Sequence, residues 1–133
     1  TRRGGEFELE LRPAAAWTFT GGVALSFINF AAAPHFPVAY RPRDTEHASA
    51  AWSPGRWRMD VAWRRLGPRA QYDNGDWNLP AIGLLDAGIE RRIGGSLVAR
   101  LDVRDLTDRR PAYVAGMPLP GRSLLFTLTY GAS

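Results

Sequence analysis

The feature that most restricts how this chain can fold is a period of two. Seven stretches alternate apolar with polar residues, the mark of a strand with two unlike faces. The first is Glu6-Phe7-Glu8-Leu9-Glu10-Leu11. In the second, from about Trp17 to Phe30, Trp17, Phe19, Val23, Leu25 and Phe27 share one face, and Thr18, Thr20, Gly22, Ala24 and Ser26 take the other. A third, more polar stretch covers Asp44 to Trp52. The fourth, Arg56 to Leu66, sets Trp57, Met59, Val61 and Trp63 against Arg58, Asp60 and Arg64. Ile82 to Ile93 forms the fifth. In the sixth, Ser96 to Leu106, Leu97, Ala99, Leu101 and Val103 stand opposite Arg100, Asp102 and Arg104. The seventh, Arg122 to Tyr130, sets Leu124, Phe126, Leu128 and Tyr130 against Leu125, Thr127 and Thr129.

The connections are sorted by length. Pro13 to Ala16, Ser53-Pro54-Gly55 and Gly94-Gly95 are short; Ala31 to Arg43, Gly67 to Leu79 and Thr107 to Pro120 are long; and the two kinds alternate strictly. In an up-and-down meander, alternate connections lie at the same end of the sheet, so every short turn falls at one end and every long loop at the other. Outer-membrane barrels have this asymmetry, and a soluble sandwich has no reason for it. Most stretches also reach the roughly 9–11 residues that a tilted membrane-crossing strand needs, against about 5–6 in soluble proteins. The apolar faces from Trp57 to Trp63, Leu97 to Val103 and Leu124 to Tyr130 hold no charge. Trp17, Trp52, Trp57 and Tyr130 fall toward the short-turn end, and Phe30, Trp63 and Tyr113 toward the long-loop end, as in an interfacial aromatic girdle. The expected fold is all-β: an antiparallel up-and-down meander of about seven strands, a partial transmembrane β-barrel.

Composition narrows the function. Net charge is +4, and all 17 basic residues are Arg, which raises nucleic-acid binding as a possibility. The arginines, however, alternate with apolar residues and form no basic block or recognition motif, so no nucleic-acid partner is expected. Without cysteine there is no disulfide framework and no cysteine-based zinc site. His35 and His47 lie 12 apart with no HExxH pattern, so no metal site is expected. Ser26, Ser49 and Ser96 lack a nucleophile elbow. Gly21-Gly22 and Gly94-Gly95 read as a strand kink and a tight turn rather than phosphate loops. Asp73-Asn74-Gly75-Asp76 reads as a turn, not a calcium loop. No catalytic residue and no cofactor are therefore assigned. Two groups of residues are candidates for contact with a ligand or partner. Arg58, Asp60, Arg64, Arg100, Asp102 and Arg104 should face a barrel lumen. Loop residues Arg69, Tyr72, Asp73, Asp76 and Trp77 are suited to stacking on and hydrogen-bonding a solute.

Several motifs, in order, resemble the end of a TonB-dependent outer-membrane receptor. Leu97-Val98-Ala99-Arg100-Leu101-Asp102-Val103-Arg104-Asp105-Leu106-Thr107-Asp108 resembles the family's penultimate strand and its Asn-Leu-Phe-Asp-like close, with Asp105 in place of Asn and Thr107 in place of Phe. Tyr113 matches the Tyr that commonly follows, and Pro120-Gly121-Arg122-Ser123 matches the lead-in to the last strand. Upstream, Gly5-Glu6-Phe7-Glu8, Arg41-Pro42-Arg43 and Gly67-Pro68-Arg69 are similar to the family's Gly-Val-Glu, Arg-Pro-Arg-His and Gly-x-Arg elements. The chain closes on Tyr130-Gly131-Ala132-Ser133, with Ala132 where the family commonly has Phe.

The resemblance implies that residues 1–133 are the carboxy-terminal fragment of a barrel of about 22 strands, with the plug and earlier strands absent; the start at Thr1, close to a strand pattern, reads as a cut through a longer chain. It further implies a place in the outer membrane of a Gram-negative bacterium, contact with lipid, plug and the rest of the barrel, and energisation by TonB through the missing amino-terminal part. The role implied is active uptake of a scarce solute such as an iron-siderophore or cobalamin, without enzymatic activity. A soluble β-rich binding module and a passive outer-membrane pore are the alternatives.

Overall fold

The computed structural model describes residues 2–28, 38–73, 78–114 and 116–131, without the Tyr113 side chain. Expectations attached to Phe30, His35, Asn74, Gly75, Asp76, Trp77, Ala132 and the Tyr113 ring lie outside the described residues. The strands are β1 (Arg2–Ala14), β2 (Trp17–Ile28), β3 (Asp44–Trp52), β4 (Trp57–Leu66), β5 (Arg69–Ala70), β6 (Asn78–Leu79), β7 (Ile82–Ile93), β8 (Leu97–Arg104), β9 (Ala112–Val114), β10 (Met117–Pro118) and β11 (Ser123–Tyr130). Seven of them form one sheet in the order β1-β2-β3-β4-β7-β8-β11, each antiparallel to the next. This is the meander that the alternation predicts. The pairs β5–β6 and β9–β10 are small ribbons within the second and third long loops.

Boundaries differ where the sequence signal weakens. β1 starts at Arg2, ahead of Glu6, because Gly4 and Gly5 pair in the ladder without side chains to alternate. β8 stops at Arg104 rather than Leu106. Asp105 takes a left-handed φ of 48°, and the Asp108 N–H donates to its carbonyl at 2.9 Å, closing a turn that ends the strand. Gly21-Gly22 is not a kink: both residues keep an unbroken register with β1 and with β3.

The register fixes a tilt. Trp17 pairs with Trp52 and Trp52 with Met59, yet β4 continues two residues past that rung, to Trp57. Met59 pairs with Ile89, and β7 continues four residues past it, to Ile93. Successive short turns thus descend by one residue per strand. A step of about 3.3 Å along the strand for each roughly 4.8 Å across corresponds to a tilt near 35° if the turns are to share a plane. Barrel closure demands a tilt of this size.

The sheet is a single layer. Its accessible surface is 9395 Å², whereas a monomeric globular protein of 14.7 kDa exposes roughly 6900 Å². The surplus is apolar: Phe7, Leu9, Leu11, Phe19, Val23, Leu25, Met59, Val61, Leu101, Phe126 and Leu128 are all exposed, and the register puts them on one face. Among the described residues, the buried ones other than Gly88 (Gly67, Arg69, Ala70, Leu79, Ile82 and Asp105) sit at the long-loop end, where folded loops cover the sheet. A soluble chain of this length would hide its apolar face instead.

Candidate functional site

The second face is polar and joined across strands. Arg58, Asp60 and Arg64 on β4 share it with Arg100, Asp102 and Arg104 on β8. Its centre is Arg100, whose guanidinium donates to Asp60 through Nη1 at 3.0 Å and Nη2 at 3.2 Å, and to Asp102 through Nε at 2.9 Å. Glu90 stands 3.7 Å away. Arg100 and Asp60 belong to β8 and β4, with β7 between them; Asp60 stands opposite Gly88, and Arg100, opposite Glu90, reaches it diagonally across that glycine. A side chain at Gly88 would run into the Arg100 guanidinium and the Asp60 carboxylate. The same device recurs on β2, where Glu8 reaches over Gly22 to His47 Nε2 at 3.1 Å. Arg64 pairs with Asp86 at 2.7 Å, and the other Asp86 oxygen accepts the Asp105 N–H at 3.0 Å. Arg58 lies 4.0 Å from Asp60. Arg104, at the end of β8 opposite Ser123, is exposed.

At the long-loop end the loops are tied to one another. The Tyr40 N–H donates to the Ala70 carbonyl at 2.8 Å, and the Ala39 N–H to Asp73 Oδ1 at 2.7 Å. Arg69, only 2% exposed, donates through Nη2 to the Ala112 carbonyl at 3.2 Å. The second loop is thus joined to both the first and the third. Arg69, named from the sequence as a solute-contacting loop residue, is buried beneath the loop as a brace, while Tyr72 is half-exposed. A cavity of about 460 Å³ opens between the first two loops, lined in part by Phe27, Arg41, Arg43, Pro68, Arg69 and Asn78.

Three sequence motifs acquire physical roles. Gly67 has no side chain because the Asp44 carboxylate occupies the space one would fill, and its N–H donates to the Asp44 carbonyl at 2.8 Å. Asp108 and Pro120-Gly121-Arg122 meet: Asp108 Oδ1 accepts the Arg122 N–H at 2.8 Å and fills the space beside Gly121. That bond, with a second contribution from Arg110, holds the Asp108 carboxyl below the usual carboxylate range. A depressed value means the contact is fully present above the ordinary carboxylate range and is lost as pH falls through the lowered value. Asp108→Ala is therefore expected to speed hydrogen exchange of the Arg122 amide at neutral pH. Acidifying the wild type below the carboxylate range should have the same effect, after correction for the intrinsic exchange rate. Unchanged protection in the variant would remove Asp108 from this role.

Two charged features on the apolar face escaped the sequence reading. At the long-loop end, Arg65 pairs with Asp44 at 2.5 Å and Glu46 at 2.7 Å. At the short-turn end, Arg91 lies 4.8 Å over the Trp57 ring, and Trp17 stacks on Trp52 and Phe19. From Trp57 to Arg65 is about 26 Å along β4, hence about 22 Å upright at the tilt above. This is close to the apolar band of roughly 25 Å in outer-membrane barrels. The polar face is joined by ion pairs; among the described residues no group of His, Asp and Glu could hold a metal. Such a surface can bind, hold or line.

No family model matches the chain, and no curated protein matches it. Solved structures do. The copper transporter OprC superposes with a TM-score of 0.84 at 16% identity, covering 97% of this chain and 24% of that one. The ferripyoverdine receptor of the outer membrane of Pseudomonas aeruginosa gives 0.77 at 16% identity, over 97% of this chain and 19% of its own. The ferric-catecholate import receptor Fiu from E. coli K12 gives 0.73 at 16%, over 97% and 21%. The fold is accordingly all-β, a partial transmembrane β-barrel of seven strands. These are a copper transporter, an outer-membrane receptor and an import receptor, in agreement with the resemblance read from the motifs, and the chain spans between 19% and 24% of their length.

Proposed function

We propose that this chain is the carboxy-terminal wall of a TonB-dependent outer-membrane receptor, serving active uptake of a scarce solute such as an iron-siderophore or cobalamin. The observation that carries this reading is the single-layer sheet with an exposed apolar face and a membrane-barrel tilt. Superposition on receptor barrels over nearly the whole chain supports it. In this reading Arg58, Asp60, Arg64, Arg100, Asp102 and Arg104 line the lumen and meet the plug. Tyr72, Asp73, Asp76 and Trp77 contact the solute from the outer loop that Arg69 braces. Transport is driven by TonB through the plug-bearing part of the protein, and the chain does no bond-making chemistry. An antibody against residues 56–79, used on outer-membrane fractions, is expected to detect a band several times larger than 14.7 kDa. A band of that size in the soluble fraction would sink the proposal.

A further inference from the structure

The apolar face is not uniform. Between β4, β7 and β8 it has a depression of about 220 Å³, walled by Trp57, Ile89, Arg91, Ile93, Leu101 and Phe126. Its floor is Ala99, the one short side chain in this row: Trp57 pairs with Arg91, Arg91 with Ala99, and Ala99 with Leu128. Apart from Arg91, and Arg100 whose guanidinium is engaged with Asp60 and Asp102 on the polar face, the other wall residues are large hydrophobes, so the depression exists because residue 99 stops at Cβ.

Arg91 stands at the rim of this groove on the apolar face, at the opposite end of the strands from the Arg65 cluster. Its guanidinium rests over the Trp57 ring, which fixes a long side chain while leaving its N–H donors directed away from the π-face. Among the described residues, no carboxylate lies within ion-pair distance of it. The nearest acid in sequence, Glu90, points to the polar face and toward Arg100. Arg56 and Arg92, at the same end of the sheet, alternate with Trp57 and Arg91 and so belong to the polar face, as Glu90 does. The apolar side of this corner thus has one cation, Arg91, beside a groove.

An arginine beside an apolar groove at the aromatic girdle matches one ligand chemistry: a phosphate with an acyl chain attached. We propose that Arg91, Trp57 and the groove over Ala99 form a site for an anionic phospholipid at the short-turn side of the membrane. The lipid phosphate takes charge-assisted hydrogen bonds from Arg91, and one acyl chain lies along Ala99 between Ile93 and Phe126. A zwitterionic lipid offers the same phosphate but carries a cation beside it, which the Arg91 guanidinium repels, so the site discriminates by net charge. The inference rests on the reading that the apolar face meets lipid.

The test uses the intact membrane protein, inserted in nanodiscs of equal phosphatidylglycerol and phosphatidylcholine. The lipids that stay bound after release into the gas phase are counted by native mass spectrometry. Wild type is expected to retain phosphatidylglycerol over phosphatidylcholine by roughly fivefold, the order of one charge-assisted hydrogen bond at a wet interface. Arg91→Gln should bring the ratio near one, and Ala99→Phe should lower retention of both lipids by filling the groove, with strand content unchanged by circular dichroism. Equal retention in the wild type, or a ratio unaffected by Arg91→Gln, overturns the site while the membrane reading stands. A protein that does not enter the bilayer overturns both.

Discussion

Val61→Arg is expected to destabilise the inserted barrel by about 2–4 kcal/mol, while Ala62→Arg, one residue further, changes stability by less than about 1 kcal/mol. Val61 lies on the apolar face in a rung that runs through Phe19, Ala50, Val61, Ala87, Val103 and Leu124, midway between the Arg91–Trp57 contact and the Arg65 cluster. An arginine at the bilayer midplane of a barrel costs that amount, and the cost falls to about 0–1 kcal/mol at the interfaces. Ala62 points the other way, paired with Ser49 and Asp86, where a guanidinium finds acceptors. Ile93→Arg, at the short-turn end of β7, supplies the depth control and should cost no more than about 1 kcal/mol. The measurement is denaturant unfolding of the intact protein refolded into lipid vesicles. Equal costs at 61 and 62 would show that the apolar face is covered by something other than lipid.

How much of this was readable in the sequence depends on the range of the interaction that decides each feature. Strand positions, the order of short and long connections and the division of residues between faces are local properties of alternation. The stretches from about Asp44 to Trp52 and from about Ile82 to Ile93 fall on β3 and β7. Register is not local. Nothing near Gly88 in sequence shows that Asp60 and Arg100 will meet above it, and nothing near Gly22 announces Glu8 and His47. A glycine read alone as a kink can be an open space between two strands' side chains. The Arg65 cluster was missed for the same reason: its partners Asp44 and Glu46 are some twenty residues away, and Arg64-Arg65 in isolation does not say that one arginine faces each side. The brace formed by Arg69 is not legible locally either. Its burial follows from the third long loop, whose Ala112 carbonyl it reaches.

Gly88→Val should therefore cost about 2 kcal/mol in the same unfolding assay, although intrinsic strand preference points the other way. Valine favours strands over glycine by up to about 1 kcal/mol, so a Gly88 that merely occupied a ladder position would be stabilised by the change. The geometry predicts the reverse. A Cβ at 88 enters the space of Arg100 Nη2 and the Asp60 carboxylate, and the two must part. Asp60 and Arg100 are each only 27% exposed, so separating them leaves a partly desolvated carboxylate without its main partner. The full penalty for breaking a buried pair is about 3–5 kcal/mol; water at this face and the remaining Asp102 contact of Arg100 reduce it. Gly95→Ala, where no atom lies within 4 Å of the new methyl, should be close to neutral. The sharper version is a cycle: in an Arg100→Gln background the Gly88→Val cost should shrink by more than half, because the group it displaces is already gone. If instead the two changes add fully, the valine acts through the backbone, and the crossing of Arg100 over Gly88 does not hold the wall together.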